Sequence, residues 1–243
     1  MKVVPFLAVL FSFSAFAQTI TLKDYDYPVT DIASKNLSTE GLFSSMNRSF
    51  IDVGSSICSN RALMWANDFK RNYGLNTAKI FVFFTSINGR SANKSWWYHV
   101  SPMVNDRGNM VVMDAGFSDM IEGPLSIGDW LVEFTGTSNC KEIKADETDL
   151  IEKMYRTMQF PIRTSYGSND CYYRIAPAGN WTPESVAKQI LGKDASGTPV
   201  RYERNEIDQE ELFTACLEST SSSLGRFFGN GKKKCKKYIS SGY

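Results

Sequence analysis

Cys58, His99 and Asp114 supply, in that order along the chain, a nucleophile, a general base and an acid that can orient the base. Imidazole is the side chain best suited to proton transfer near neutral pH, and His99 is the only histidine among the 243 residues. Histidine-dependent chemistry in this protein therefore has one candidate position. Cys58 opens a run of helical composition, so its thiol is expected to face unsatisfied backbone N–H groups and the positive end of the helix dipole. Both favour thiolate over thiol, and the same N–H groups suit an oxyanion on a carbonyl under attack.

The elements that must position these residues are legible. Residues 58–73 predict a helix with Ala62, Trp65, Ala66 and Phe69 on one buried stripe, Ser55 or Ser56 at its start and Gly74 at its end. Residues 78–87 (AKIFVFFTSI) read as a strand core closed by the turn pair Asn88-Gly89. Residues 96–104 and 109–114 read as a hairpin, and a turn closing symmetrically over 105–108 pairs Val104 with Asn109 and His99 with Asp114. Directly opposed residues have Cβ atoms roughly 4.5–5.5 Å apart on one sheet face, close enough for the carboxylate to fix the imidazole tautomer. A slip of one residue would turn Asp114 to the other face. Alternation puts Trp97, His99 and Ser101 on one face and Trp96, Tyr98, Val100 and Pro102 on the other, with His99 directed onto the helix that begins at Cys58. Further on, 146–158, 183–191 and 207–217 read as helical and 171–175 as a strand.

Composition sets the bounds. With 42% hydrophobic and 13% aromatic residues the chain can bury a full-sized core. Lysine and arginine total 27 against 26 acidic residues, which gives no electrostatic reason to expect nucleic acid. Residues 1–17 read as a secretory signal: Lys2, an apolar run from Val3 to Phe13, and Ala15-Phe16-Ala17 as cleavage site. Residues 18–40 read as an extended N-terminal segment and 41–243 as a single catalytic domain with a disulfide-stabilised C-terminal part. The expected mature protein is secreted or periplasmic, with no membrane span, and monomeric.

Export makes the five cysteines informative, because an odd number in an oxidising compartment suggests pairs plus one free thiol. Cys58 stands apart at a helix start and is the one expected to be unpaired. Cys216 with Cys235 and Cys140 with Cys171 close the shortest loops, one of three connectivities open to four cysteines. No C-x-x-C and no second histidine is present, so a zinc site is not expected, and thiol chemistry at Cys58 is expected to need no metal or cofactor. Trp65, Trp96, Trp97 and Trp130 are candidates to line a cleft, although tryptophans more often fill a core. The closing Lys232-Lys233-Lys234-Cys235-Lys236-Lys237 reads first as a solvated tail pinned by a disulfide.

Three segments, ICSNRALMWA, SWWYHVSPMV and NMVVMDAGFS, resemble the bacterial protein-glutaminases, secreted protein deamidases with a papain- and transglutaminase-like fold. The resemblance implies an α+β fold in which an antiparallel sheet packs on the helix carrying the nucleophile. It also implies Cys58 as nucleophile, His99 as base and Asp114 as its orienting partner, acting on protein or peptide substrates with an exposed glutamine. A transglutaminase or papain-type protease would use the same triad for another outcome. A non-catalytic, disulfide-stabilised binding module is the rival of a different class; it requires Cys58 in a disulfide and His99 remote from both partners.

Overall fold

The computed structural model describes residues 18–46, 57–83, 98–116, 121–153, 171–194, 196–201, 204–220 and 230–240. The expected signal at 1–17, the caps Ser55 and Ser56, residues 84–89, Trp96 and Trp97, and 154–158 lie outside these.

The described elements run β1 (Ile20–Leu22), β2 (Tyr27–Val29), α1 (Thr39–Ser45), α2 (Cys58–Tyr73), β3 (Ala78–Phe83), β4 (Tyr98–Asp106), β5 (Asn109–Val112) and β6 (Leu125–Ser126). They continue with α3 (Ile127–Thr135), β7 (Lys141–Glu142), α4 (Thr148–Lys153), β8 (Tyr172–Pro177), α5 (Pro183–Leu191), α6 (Gln209–Thr220) and α7 (Asn230–Ser240). The main sheet has the order β6-β5-β4-β3-β8-β7. Every pairing in it is antiparallel except β7 with β8, which is parallel at the edge. The expected α+β class, an antiparallel sheet packed on the Cys58 helix, is what the chain forms.

β3 (AKIFVF) is buried at every residue, as its near-continuous apolar run requires of a central strand. α2 packs along β4 and ends at Gly74, whose φ of 66° lets its N–H bond back to the carbonyls of Lys70 and Phe69. Its start differs from expectation: the N-cap is Ile57, with no side-chain cap bond. Its burial differs too. Ala62, Trp65, Ala66 and Phe69 enter the main core, while Leu63 and Met64 join a second core with Leu212, Ala215 and Tyr238 from α6 and α7. The helix is covered on two sides, so even Ser59, Asn60 and Arg61 are buried.

The hairpin register is the main correction. Met103 faces Val112, Val104 faces Val111 and Asp106 faces Asn109, so the turn is the two residues Arg107-Gly108 and not the four from 105 to 108. Both have positive φ, 52° and 89°, the backbone of a type I′ turn. The pairing is displaced by two positions from the symmetric one, so facing is preserved: parity is unchanged where a one-residue slip would have inverted it.

The N-terminal segment fixes this turn. Asp31, buried, accepts from the backbone N–H of Gln18 (3.1 Å), Ala33 (3.0 Å) and Arg107 (3.0 Å). Asn105 donates to the Gln18 carbonyl at 2.7 Å and accepts from Gly108 N–H at 2.9 Å. Residues 18–40 are thus not simply extended. They form a two-stranded ribbon and short 3₁₀ turns, and Tyr25, Tyr27, Val29 and Ile32 enter the main core.

The cysteines pair as Cys140–Cys171 and Cys216–Cys235, and Cys58 is free. The lysine-rich end is a helix, α7, tied to α6 by the second bridge.

Candidate active site

Asp114 lies just past the end of β5, held by Met113 N–H donating to the Pro102 carbonyl at 2.9 Å and Ser101 Oγ donating to the Met113 carbonyl at 3.0 Å. From there its Oδ2 meets Nε2 of His99 at 2.7 Å, with both residues buried to 1% exposure or less. Oδ2 also accepts from Trp130 Nε1 at 2.9 Å, and Oδ1 accepts from Gly116 N–H at 3.2 Å. Cys58 lies close enough to the same imidazole for its charge to favour the protonated ring. Nε2 is committed to Asp114, and Nδ1 is the buried ring nitrogen that the carboxylate does not engage. Cys58, His99 and Asp114 are therefore brought together.

Electrostatics follow from this packing. Burial alone would push His99 down, but the Asp114 charge and hydrogen bond, reinforced by Cys58, carry its pKa up to about 9. Burial pushes Asp114 up. The His99 charge and hydrogen bond, the Trp130 donor and the Gly116 N–H outweigh it, and its carboxyl lies below the usual range. At neutral pH the pair is imidazolium and carboxylate.

Several residues take roles at the site that the sequence did not assign them. Trp130 and Phe134 come from α3, which starts at Ser126, whose Oγ accepts from Asp129 N–H at 3.1 Å. Their rings lie against the imidazole, with centroids 5.7 Å and 4.4 Å away, and keep water from it. The spacing Ser126-x-x-Asp129 was the available signal for that helix. Trp65 and Trp130, candidates for a cleft, are core residues at 2% and 0% exposure. Arg61, one turn into α2, is buried; burial pulls its pKa down, against the charges of Cys58 and Asp114. A Cβ at Gly116 would come within 2.9 Å of Arg61 Nε, so the bare backbone there makes room for the guanidinium. Tyr98 stands beside Cys58 and Ser59; burial, then the Cys58 charge, raises its hydroxyl pKa and keeps it a neutral donor. Ile57, 54% exposed, borders Cys58 on the solvent side.

A cavity of about 270 Å³ lies toward the other end of α2, lined by Tyr27, Asn67, Arg71, Thr77 and Glu206 among others, and includes no member of the Cys58 site. No group of three potential metal-ligating side chains occurs among the described residues, and none of the described helices is long and apolar enough to cross a membrane.

A family model described as glutaminase matches residues 34–134, a segment that contains Cys58, His99, Asp114, Trp130 and Phe134. Among solved structures, the chain is similar to the NMR structure of protein-glutaminase from Chryseobacterium proteolyticum. That similarity has 17% identity and a TM-score of 0.41, covering 80% of this chain and 88% of that one. No curated protein matches the chain.

Proposed function

We propose that the protein is a secreted protein-glutamine deamidase acting through a thioester on Cys58. The observation that carries this is the buried His99–Asp114 pair at 2.7 Å, set against a free thiol at a helix start, all inside the glutaminase-matching segment. The binding-module reading needed Cys58 oxidised and His99 remote, and neither condition holds.

The chemistry follows from the roles of the groups. Cys58 sulfur attacks the side-chain carboxamide carbon of a protein-bound glutamine. Charge develops on the carboxamide oxygen, next to the backbone N–H groups that open α2 and the Tyr98 hydroxyl. His99 imidazolium gives its proton to the departing nitrogen, ammonia leaves, and a thioester remains. Neutral His99 then takes a proton from water as the hydroxide adds to the thioester, and collapse releases glutamate and restores Cys58. Asp114, gripped by three donors, holds the imidazole through Nε2 and stabilises its charged form. Proton and charge balance without metal or cofactor.

The test is ammonia release from a glutamine-bearing protein, with mass spectrometry of the substrate. Conversion of glutamine to glutamate, with no new chain termini and no cross-links, supports deamidation over proteolysis and transamidation. Cys58→Ala should lose at least about 10³-fold in turnover while its circular dichroism is unchanged. A folded Cys58→Ala protein that keeps its activity would end this reading.

A further inference from the structure

We infer that the solvent face of α7 is a docking surface for acidic regions of protein substrates, an inference that rests on the deamidase reading of the Cys58 site. Lys232, Lys233, Lys234, Lys236 and Lys237 are all exposed, whereas Cys235 and Tyr238 point inward. Among the described residues none of the five ammonium groups is held in an ion pair or hydrogen bond, although lysines elsewhere in the chain are, as Lys188 is with Glu184. At 100° per residue the five cover the whole outer face of the helix. The chain's net charge is only +1, so the surface outside α7 is net negative. An acidic partner is therefore repelled elsewhere and drawn to this helix.

The face is rigidly tied to the nucleophile's helix. Tyr238 Oη stands 2.8 Å from Asp68 Oδ1 and 3.0 Å from the Met64 carbonyl, its single proton shared between these two acceptors, and Arg71 Nη1 donates to the Tyr238 carbonyl at 2.6 Å. The Cys216–Cys235 bridge pins the other side. Met64 and Arg71 lie about 9 Å and 20 Å along α2 from Cys58, a span that a polypeptide reaching the thiol can bridge. The chemistry of the face narrows the partner. It presents lysines without arginine forks for phosphate or exposed aromatic rings for bases, which argues against nucleic acid. Surface-seeking membrane helices bury an apolar face in lipid, and here that face is spent on α2 and α6.

The experiment compares three synthetic peptides carrying one glutamine, flanked by glutamates, serines or lysines, on wild type and on Lys233→Glu/Lys236→Glu/Lys237→Glu. Wild type should show a KM about tenfold lower for the glutamate-flanked peptide than for the serine-flanked one at low salt, with equal kcat. That advantage should vanish in about 1 M salt and in the triple variant, which should keep wild-type kcat and KM on the serine-flanked peptide. Equal KM for all three peptides on wild type overturns the inference. So does binding of wild type to phosphatidylglycerol vesicles, lost in the triple variant, without any preference among peptides. If no peptide is deamidated, the functional reading has failed and binding decides the inference separately: fluorescence anisotropy of the labelled glutamate-flanked peptide must still show tighter binding to wild type than to the triple variant.

Discussion

His99 and Asp114 are hydrogen-bonded at 2.7 Å without being cross-strand partners. The register that pairs Met103 with Val112 would, if β5 continued past Val112, set position 116 and not 114 against His99. Asp114 reaches the imidazole on the diagonal, two residues back from the opposed position but on the same face. Diagonal neighbours stand roughly 7–8 Å apart at the backbone, a gap that an aspartate and a histidine reaching toward each other close. The carboxylate is left room to accept from Trp130 and from Gly116 as well.

Asp114→Asn should preserve the fold but replace a carboxylate by an amide that stabilises neither the imidazolium nor its orientation. The corresponding change in a serine protease costs about 10⁴ in turnover. A thiol forms its anion more readily than a hydroxyl, so a loss of roughly 10²–10³ is expected here. The His99 pKa, about 9 in the wild type, should fall with the lost charge. NMR titration of the single histidine reads it directly, and an unchanged value would contradict the pairing.

Trp130→Phe tests the donor to Asp114 while keeping the ring against His99. A hydrogen bond to a charged group contributes about 1.5–3 kcal/mol, and without it the Asp114 carboxyl pKa should rise. Turnover at neutral pH should drop by roughly tenfold, with the acid limb of the pH–rate profile moved to higher pH. Trp130→Ala, which also opens a cavity, should cost more in thermal stability. A Phe variant with an unshifted acid limb would show that the indole N–H does not set the carboxylate.

How much of this could be read from the residues differs by element. α2 was legible to the residue, because Gly74 punctuates a clean apolar spacing, and α5 was too, because Pro183 follows a capping Thr182 and Gly192 closes the helix. The hairpin was legible as a hairpin but not in register: Arg107 adopts a left-handed φ of 52° that its side chain does not announce, and Asp31, 76 residues away in sequence, helps hold it there. The two-position shift left the His99–Asp114 pairing intact only because it is even. Trp130 was legible only as a candidate to line a cleft, not as the donor to Asp114, and Arg61 was not legible as a neighbour of the site. Their roles arise from α3 folding over β4 and from α6 and α7 covering α2, long-range packing that no local period encodes. α7 was hidden because five lysines mask the inward positions Cys235, Tyr238 and Ile239.

Asp31→Ala should act on the site from the far end of the hairpin. It leaves the N–H groups of Gln18, Ala33 and Arg107 without their acceptor. A buried donor stripped of its partner costs about 1–3 kcal/mol. Denaturant unfolding should register a loss in that range or somewhat above, and amides of 105–112 should exchange faster than in the wild type. Asp31→Asn, which keeps an acceptor oxygen, should recover part of the loss. Unchanged exchange at the turn in Asp31→Ala would remove Asp31 as the clamp on the register.

Stability as a function of pH should reveal two buried groups working against each other. Lys79, fully buried on β3 with Nζ donating to the Asn180 carbonyl at 2.8 Å, has its pKa lowered by burial to about 7 against an ordinary 10.5. The folded state therefore binds fewer protons there than the unfolded chain between pH 7 and 10.5, so this group makes stability rise with pH across that window. His99 has the opposite sign. Its pKa is raised from 6.5 to about 9, so its contribution is fully present below pH 6.5 and is lost as pH climbs to 9. Across the shared window from about 7 to 9 the two slopes oppose, at about 1.4 kcal/mol per pH unit each. Wild-type stability should thus be nearly flat there. Lys79→Met removes one arm: the variant should be more stable than wild type below pH 7 and should lose stability steadily from pH 6.5 to 9. Urea midpoints measured at half-unit steps test it. A Lys79→Met curve parallel to that of the wild type would show that the buried lysine is not neutralised in the folded protein.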